Sequence, residues 1–147
     1  MEFSNSYEDA KRAAAYARLE FPGTYYLAYR DLPEIAAEHV SGKKALDFGC
    51  GTGRSTRFLK KYGFETLGID ISADMLEKAR EFDPQGDYLL VENGDLSKCG
   101  DRTFDLILSA FTFDNIPTQE KKVKIFRALA GMLTSEGRLI NLVSAPE

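Results

Sequence analysis

Residues 45–53 read Ala45-Leu46-Asp47-Phe48-Gly49-Cys50-Gly51-Thr52-Gly53, a short apolar run carrying one acid and ending in three alternate glycines. The run predicts a strand covered on both faces, and the glycines predict a tight turn into a following helix. Glycine accepts positive φ, and without a Cβ it lets a ligand approach bare main-chain amides. The spacing is G-x-G-x-G; the dinucleotide fingerprint G-x-G-x-x-G would need glycine where Arg54 stands. A nicotinamide-dependent oxidoreductase is disfavoured on that ground. Asp47 sets a carboxylate at the strand end, where it suits a cationic amine and would repel a pyrophosphate.

Outward from this stretch, short apolar runs alternate with amphipathic ones, the pattern of βα units that build a parallel sheet. The expected strands are Lys43–Phe48, Glu65–Asp70, Tyr88–Glu92, Phe104–Ser109 and Gly137–Val143. Ser72 is placed to cap a helix whose apolar face is Met75, Leu76 and Ala79. Thr118 is placed to cap one bearing Val123, Phe126, Ala130 and Leu133. Phe58, Leu59 and Tyr62 give a third apolar face, which Gly63 would end. The link from Glu92 to Thr103 holds Asn93-Gly94-Asp95 and Gly100-Asp101, so it predicts a loop with at most one helical turn.

Residues 1–42 differ in kind and are expected to form a helical cap or lid segment before an α/β domain over 43–147. Ala10, Ala13, Ala14 and Ala17 favour a helix, Phe21-Pro22-Gly23 breaks it, and Asp31–Val40 reads as another with Pro33 in its first turn. Five of the seven tyrosines (Tyr7, Tyr16, Tyr25, Tyr26 and Tyr29) fall here; aromatic rings with polar tips suit a flap over a pocket or packing on the sheet edge.

At 147 residues with a formal net charge of -4, the chain has the size of one domain and lacks the basic excess that binding to nucleic acid or anionic lipid requires. No run approaches the ~20 apolar residues of a membrane span, so a cytoplasmic protein is expected. Cys50 and Cys99 lie in different motifs and predict reduced thiols, and no Cys/His cluster has metal-ligand spacing.

Three further acidic segments fall at the same predicted sheet edge. Asp70 follows the second strand, 17 residues beyond Gly53, where a carboxylate can accept from both hydroxyls of a ribose. Asn93-Gly94-Asp95-Leu96 follows the third, and Ser109-Ala110-Phe111-Thr112-Phe113-Asp114-Asn115 the fourth.

With these pieces together, the sequence from Lys43 to Val143 resembles the class I S-adenosylmethionine-dependent methyltransferases, the Rossmann-like seven-strand family. Its D-x-G-x-G-x-G motif stands as Asp47–Gly53, its ribose acid as Asp70 and its acidic loop as Asp95. The resemblance implies a doubly wound, mostly parallel sheet of order 3-2-1-4-5 with helices on both faces. It implies S-adenosyl-L-methionine as methyl donor and S-adenosyl-L-homocysteine as product. Gly49 and Gly51 would pass beneath the methionine moiety, in one loop with Cys50 and Gly53, and Asp47 would lie near its amino group. Asp70 would hold the ribose hydroxyls, and Ile71 and Met75 would flank the adenine or merely fill the core. Gly94, Asp95 and the Leu96 amide would read the adenine edge, with Ala110 and Phe111 near the sulfonium.

Methyl transfer from a sulfonium needs alignment and exclusion of water more than an acid or base. The segment after the fourth strand lacks the Asn-Pro-Pro-Tyr pattern of the family's amino-group enzymes acting on DNA bases and glutamine. Oxygen, carbon, sulfur or other nitrogen acceptors stay open, and a small-molecule acceptor is the leading expectation. Asp114 is a weak candidate base. His39, the sole histidine, is expected at a helix end or on the surface. Arg54 would either meet a carboxylate of cofactor or substrate or stand solvated on its helix.

The family's sheet normally continues past the fifth strand, whereas this sequence stops at Ala145-Pro146-Glu147. A truncated or shortened relative is expected ahead of two alternatives: a homodimer pairing through the fifth-strand edge, or a module that binds the donor without methylating.

Overall fold

The computed structural model describes residues 24–145. Five parallel strands, β1 (Lys44–Phe48), β2 (Glu65–Asp70), β3 (Asp87–Leu90), β4 (Phe104–Ala110) and β5 (Leu133–Leu142), lie in the order β3-β2-β1-β4-β5. The helices are α1 (Thr24–Arg30), α2 (Leu32–His39), α3 (Arg54–Lys61), α4 (Ala73–Phe82) and α5 (Gln119–Ala130). The expected doubly wound fold is present.

The strands read as nearly continuous apolar runs because both faces are covered. Leu46 and Ile107 face the side where α5 contributes Ile125 and Leu129. Their neighbours Ala45, Leu106 and Leu108 face the opposite side, against Leu32, Ala36 and Leu59 of α2 and α3. Tyr88 packs on Leu76 and Ala79 of α4. Leu106, Ile107 and Leu108 are all buried in sequence because both faces of the sheet are covered.

Two local expectations need correction. β5 begins at Leu133 rather than Gly137, because the β4 register jumps from Phe104↔Leu133 to Leu106↔Arg138 and the intervening residues bulge away. The core face of α5 is Ile125 and Leu129, four apart, whereas Val123 and Phe126 stay exposed; Phe126 stacks on Phe113 at 4.1 Å between ring centroids. Leu133 belongs to the strand. The chain from Glu92 to Thr103 holds a single 3₁₀ turn, Ser97–Cys99.

Of the N-terminal residues, Tyr26 is exposed and Tyr29 buried, its ring edge-on to Phe58 at 5.1 Å. The helix expected around Ala10, with Tyr7 and Tyr16, lies outside the described residues, as does the Tyr25 side chain.

The caps differ in kind. Ser72 and Thr118 each accept from the amide three residues on, Met75 N–H and Lys121 N–H, at 3.2 Å. Asp31, at the cap position of α2, instead pairs with Arg30 on the surface. Ser72→Ala and Thr118→Ala are each expected to lower stability by about 1 kcal/mol. Asp31→Ala is expected to leave the urea midpoint nearly unchanged. Equal shifts for all three variants would contradict the assignment.

Candidate functional site

The sheet's winding direction changes between β1 and β4, and open α/β sheets bind ligands at the carboxyl edge of such a point. A cleft of about 560 Å³ opens there, within the range of roughly 300–1,000 Å³ that small-molecule sites occupy.

The cleft floor is the loop after β1. The amides of Gly49 and Cys50 both donate to Ile69 O at 2.9 Å, tying the loop to β2. Gly49 has φ 74, and a Cβ there would lie 2.1 Å from Thr112 Oγ1, so the Thr112 side chain occupies the space the missing Cβ leaves. That hydroxyl donates to Phe48 O at 2.9 Å, which fastens the segment after β4 to the loop. Gly51, with φ 55, is different: among the described residues the nearest atom to an added Cβ is Met75 Sδ, at 3.9 Å. Both Gly51 and Met75 line the cleft, so that Cβ would fill the space offered to a ligand.

Asp70 joins the two halves of the cleft. Its Oδ2 accepts from Gly51 N–H at 2.8 Å and its Oδ1 from Ser72 N–H at 2.9 Å, so one carboxylate fixes both the glycine loop and the start of α4. The carboxylate lines the cleft.

Asp47 is fully buried and lies behind the lining. Its Oδ2 accepts from Ser55 Oγ at 2.5 Å and Thr56 Oγ1 at 2.7 Å, in the first turn of α3, while Oδ1 has no hydrogen-bond partner among the described residues. Burial pushes this carboxyl up to about 6, the two hydroxyls pull it down, and the like charge of Asp70 adds to the rise. The folded pKa thus exceeds the unfolded value near 3.9. Stability that is fully present below about pH 4 is therefore lost as pH rises through about 6. Asp47→Asn should abolish that slope, with the variant gaining up to about 2 kcal/mol on the ligand-free parent between pH 4.5 and 7.5. A variant-to-parent difference in urea midpoint that does not change with pH would refute this.

Other residues named from the sequence divide clearly. Cys50, Ile71, Met75, Gly94, Leu96, Ala110 and Phe111 line the cleft. Phe111 has φ 63, an uncommon conformation for a non-glycine residue, held by its N–H donating to Leu142 O at 2.8 Å. Gly53, Asp95 and Asp114 do not line the cleft. Gly53 starts α3 and faces back toward Tyr88. The Asp95 carboxylate is exposed and accepts from Ser97 N–H at 2.9 Å, a turn that holds it below the usual carboxylate range. Asp114 accepts from the amide and hydroxyl of Ser144, the latter at 2.7 Å, outside the cleft lining.

The solvated alternative for Arg54 is also overturned: the side chain is buried and lines the cleft. Beside it are Tyr29 and Ser55, and burial raises the Tyr29 phenol well above its ordinary value. Ser55 and Thr112, with Lys121 and Lys124 of α5, were missed as lining residues, while Tyr29 takes the pocket-facing place of the two open to the tyrosines. No spacing marks Ser55, Thr112 or the two lysines. His39 ends α2 on the surface, as expected.

Residues 46–141, well over half of the chain, match the family described as the methyltransferase domain. N-demethylindolmycin N-methyltransferase of Streptomyces griseus is 30% identical over 99% of this chain and 62% of its own length. The 18S rRNA (guanine-N(7))-methyltransferase of Bos taurus is 34% identical over 65% of this chain and 37% of its own. Among solved structures, a S-adenosylmethionine-dependent methyltransferase from Clostridium acetobutylicum superposes with a TM-score of 0.74 at 25% identity, covering 89% of this chain and 55% of that one. The chain belongs to the class I S-adenosylmethionine-dependent methyltransferase family, whose methyl donor is S-adenosylmethionine. It spans less than two thirds of the length of these relatives. No helix among the described residues is long and apolar enough to cross a membrane.

Proposed function

We propose that the cleft binds S-adenosylmethionine and that the protein to which this chain belongs transfers its methyl group to a small-molecule acceptor. The observation that carries the reading is Asp70, whose single carboxylate holds Gly51 and Ser72 while facing a cleft with a glycine cradle on one side and Ile71 and Met75 on the other.

When bound, the sulfonium supplies an activated methyl carbon with a neutral thioether as leaving group. The chain's residues then bind and align. Gly49 and Gly51 offer main chain to the methionine end, Asp70 accepts from the ribose hydroxyls, and Ile71, Met75 and Leu96 enclose the adenine with Gly94. Arg54 meets a carboxylate of the donor or acceptor. Ala110 and Phe111 close the space around the sulfur, and Tyr29 and Thr112 border the remaining opening where the acceptor enters. By enclosing donor and acceptor together, these residues would align an acceptor lone pair with that carbon, and alignment alone is able to supply ~7 kcal/mol of the barrier reduction.

A small acceptor is favoured because the cleft is concave and the chain's net charge is -4, which opposes a polyanionic substrate. The Streptomyces griseus relative, whose name specifies a small natural product, points the same way. Calorimetric titration with S-adenosylhomocysteine, followed by transfer of a labelled methyl group to a panel of amines, phenols and thiols, tests both halves. Absence of binding at millimolar ligand would sink the donor assignment; binding with transfer only to RNA would sink the acceptor assignment.

A further inference from the structure

We infer that Tyr88 is a positioning residue for the donor pocket, acting through Asp83 and Lys60 on the back of the glycine loop; the inference rests on the donor-binding reading above. Tyr88 lies on β3 with its ring among Cys50, Leu76 and Ala79, away from the cleft lining. Its hydroxyl donates to Asp83 Oδ2 at 3.0 Å, and Lys60 Nζ donates to both oxygens of that carboxylate at 2.8 and 2.7 Å. Asp83 caps the C-terminus of α4, and Lys60 sits in the last turn of α3.

The network reaches the loop directly. Tyr88 Oη stands 2.7 Å from where a Cβ on Gly53 would be, so the hydroxyl fills the space behind that residue. One turn along α3, Arg57 donates to Thr52 O at 2.7 Å with its guanidinium 5.1 Å from the Phe82 ring centroid. Thr52 and Gly53 are thereby held from behind by α3, β3 and the end of α4. The front of the loop is held by Asp70. Because α4 also carries Met75 in the cleft wall, the tie at its far end sets the separation between the loop and the adenine wall.

The test is Tyr88→Phe, which keeps the ring in its apolar cluster and deletes only the hydroxyl. The dissociation constant for S-adenosylhomocysteine, measured on the folded variant, is expected to rise about tenfold. Asp83→Asn retains an acceptor for the tyrosine while losing the ion pair, and is expected to rise only about threefold. Lys78→Ala, which breaks the exposed Lys78–Glu81 pair at 3.0 Å on the same helix, is expected to bind like the parent. Lowered urea midpoints with dissociation constants within about twofold of the parent for both Tyr88→Phe and Asp83→Asn would overturn the inference. If Tyr88→Phe does not fold, Asp83→Asn alone decides. A parent that does not bind the ligand overturns the donor reading and this inference together.

Discussion

Gly49→Ala is expected to destabilise the protein by about 3 kcal/mol or more, whereas Gly51→Ala keeps the fold and loses the ligand. At Gly49 two penalties combine. The φ of 74 is unfavourable for alanine, and the new Cβ would fall 2.1 Å from Thr112 Oγ1, 2.4 Å from its Cγ2 and 2.8 Å from its Cβ. Thr112 is poorly able to yield, since it is β-branched and its hydroxyl is bonded to Phe48 O. At Gly51 the added methyl group meets nothing closer than 3.9 Å among the described residues, so the stability loss is limited to the strain of φ 55, roughly 1 kcal/mol. Urea denaturation and ligand titration of the two variants separate the roles. Adding Thr112→Ala to Gly49→Ala should restore part of the stability, because the two nearest atoms are removed and the backbone strain is not. Equal stability loss at the two glycines would refute the distinction.

Asp70→Ala is expected to weaken S-adenosylhomocysteine binding by on the order of 100-fold, from three losses at one carboxylate. Gly51 N–H and Ser72 N–H lose their acceptor, which loosens the loop from α4, and the ribose hydroxyls lose theirs. At 100 times the parent's dissociation constant, ligand stabilises the parent by about 2.7 kcal/mol through mass action, and most of that shift should vanish in the variant. Asp70→Asn keeps the size and one acceptor oxygen and should fall between. An unchanged dissociation constant in Asp70→Ala would remove the central support for the ribose assignment.

The sheet was legible because its signals are local. Leu106-Ile107-Leu108 is apolar at successive positions, as suits a strand covered on both faces, and Ser72 and Thr118 mark helix starts by hydrogen bonds that span three residues. Asp70 was legible for the same reason: it ends a strand, and the strand's length fixed where its carboxylate would stand. The bulge before Arg138 was not, because it depends on how β5 registers against β4. Nor was the seam of α5, since Val123, Phe126 and Ile125 are all apolar and only the packing partner selects among them.

Chain stereochemistry and apolar periodicity act over a few residues, and they were enough to set the class of fold, the glycine turn and the edge at which the acids gather. Which acid faces what depends on packing between segments far apart in the chain. Asp47 withdrew beneath α3, Asp95 turned onto Ser97 and Asp114 onto Ser144, while Arg54, Tyr29 and Thr112 were drawn to the cleft. A side chain's direction depends on which hydrogen-bond partner distant segments bring within reach, and neighbours along the chain carry no record of that.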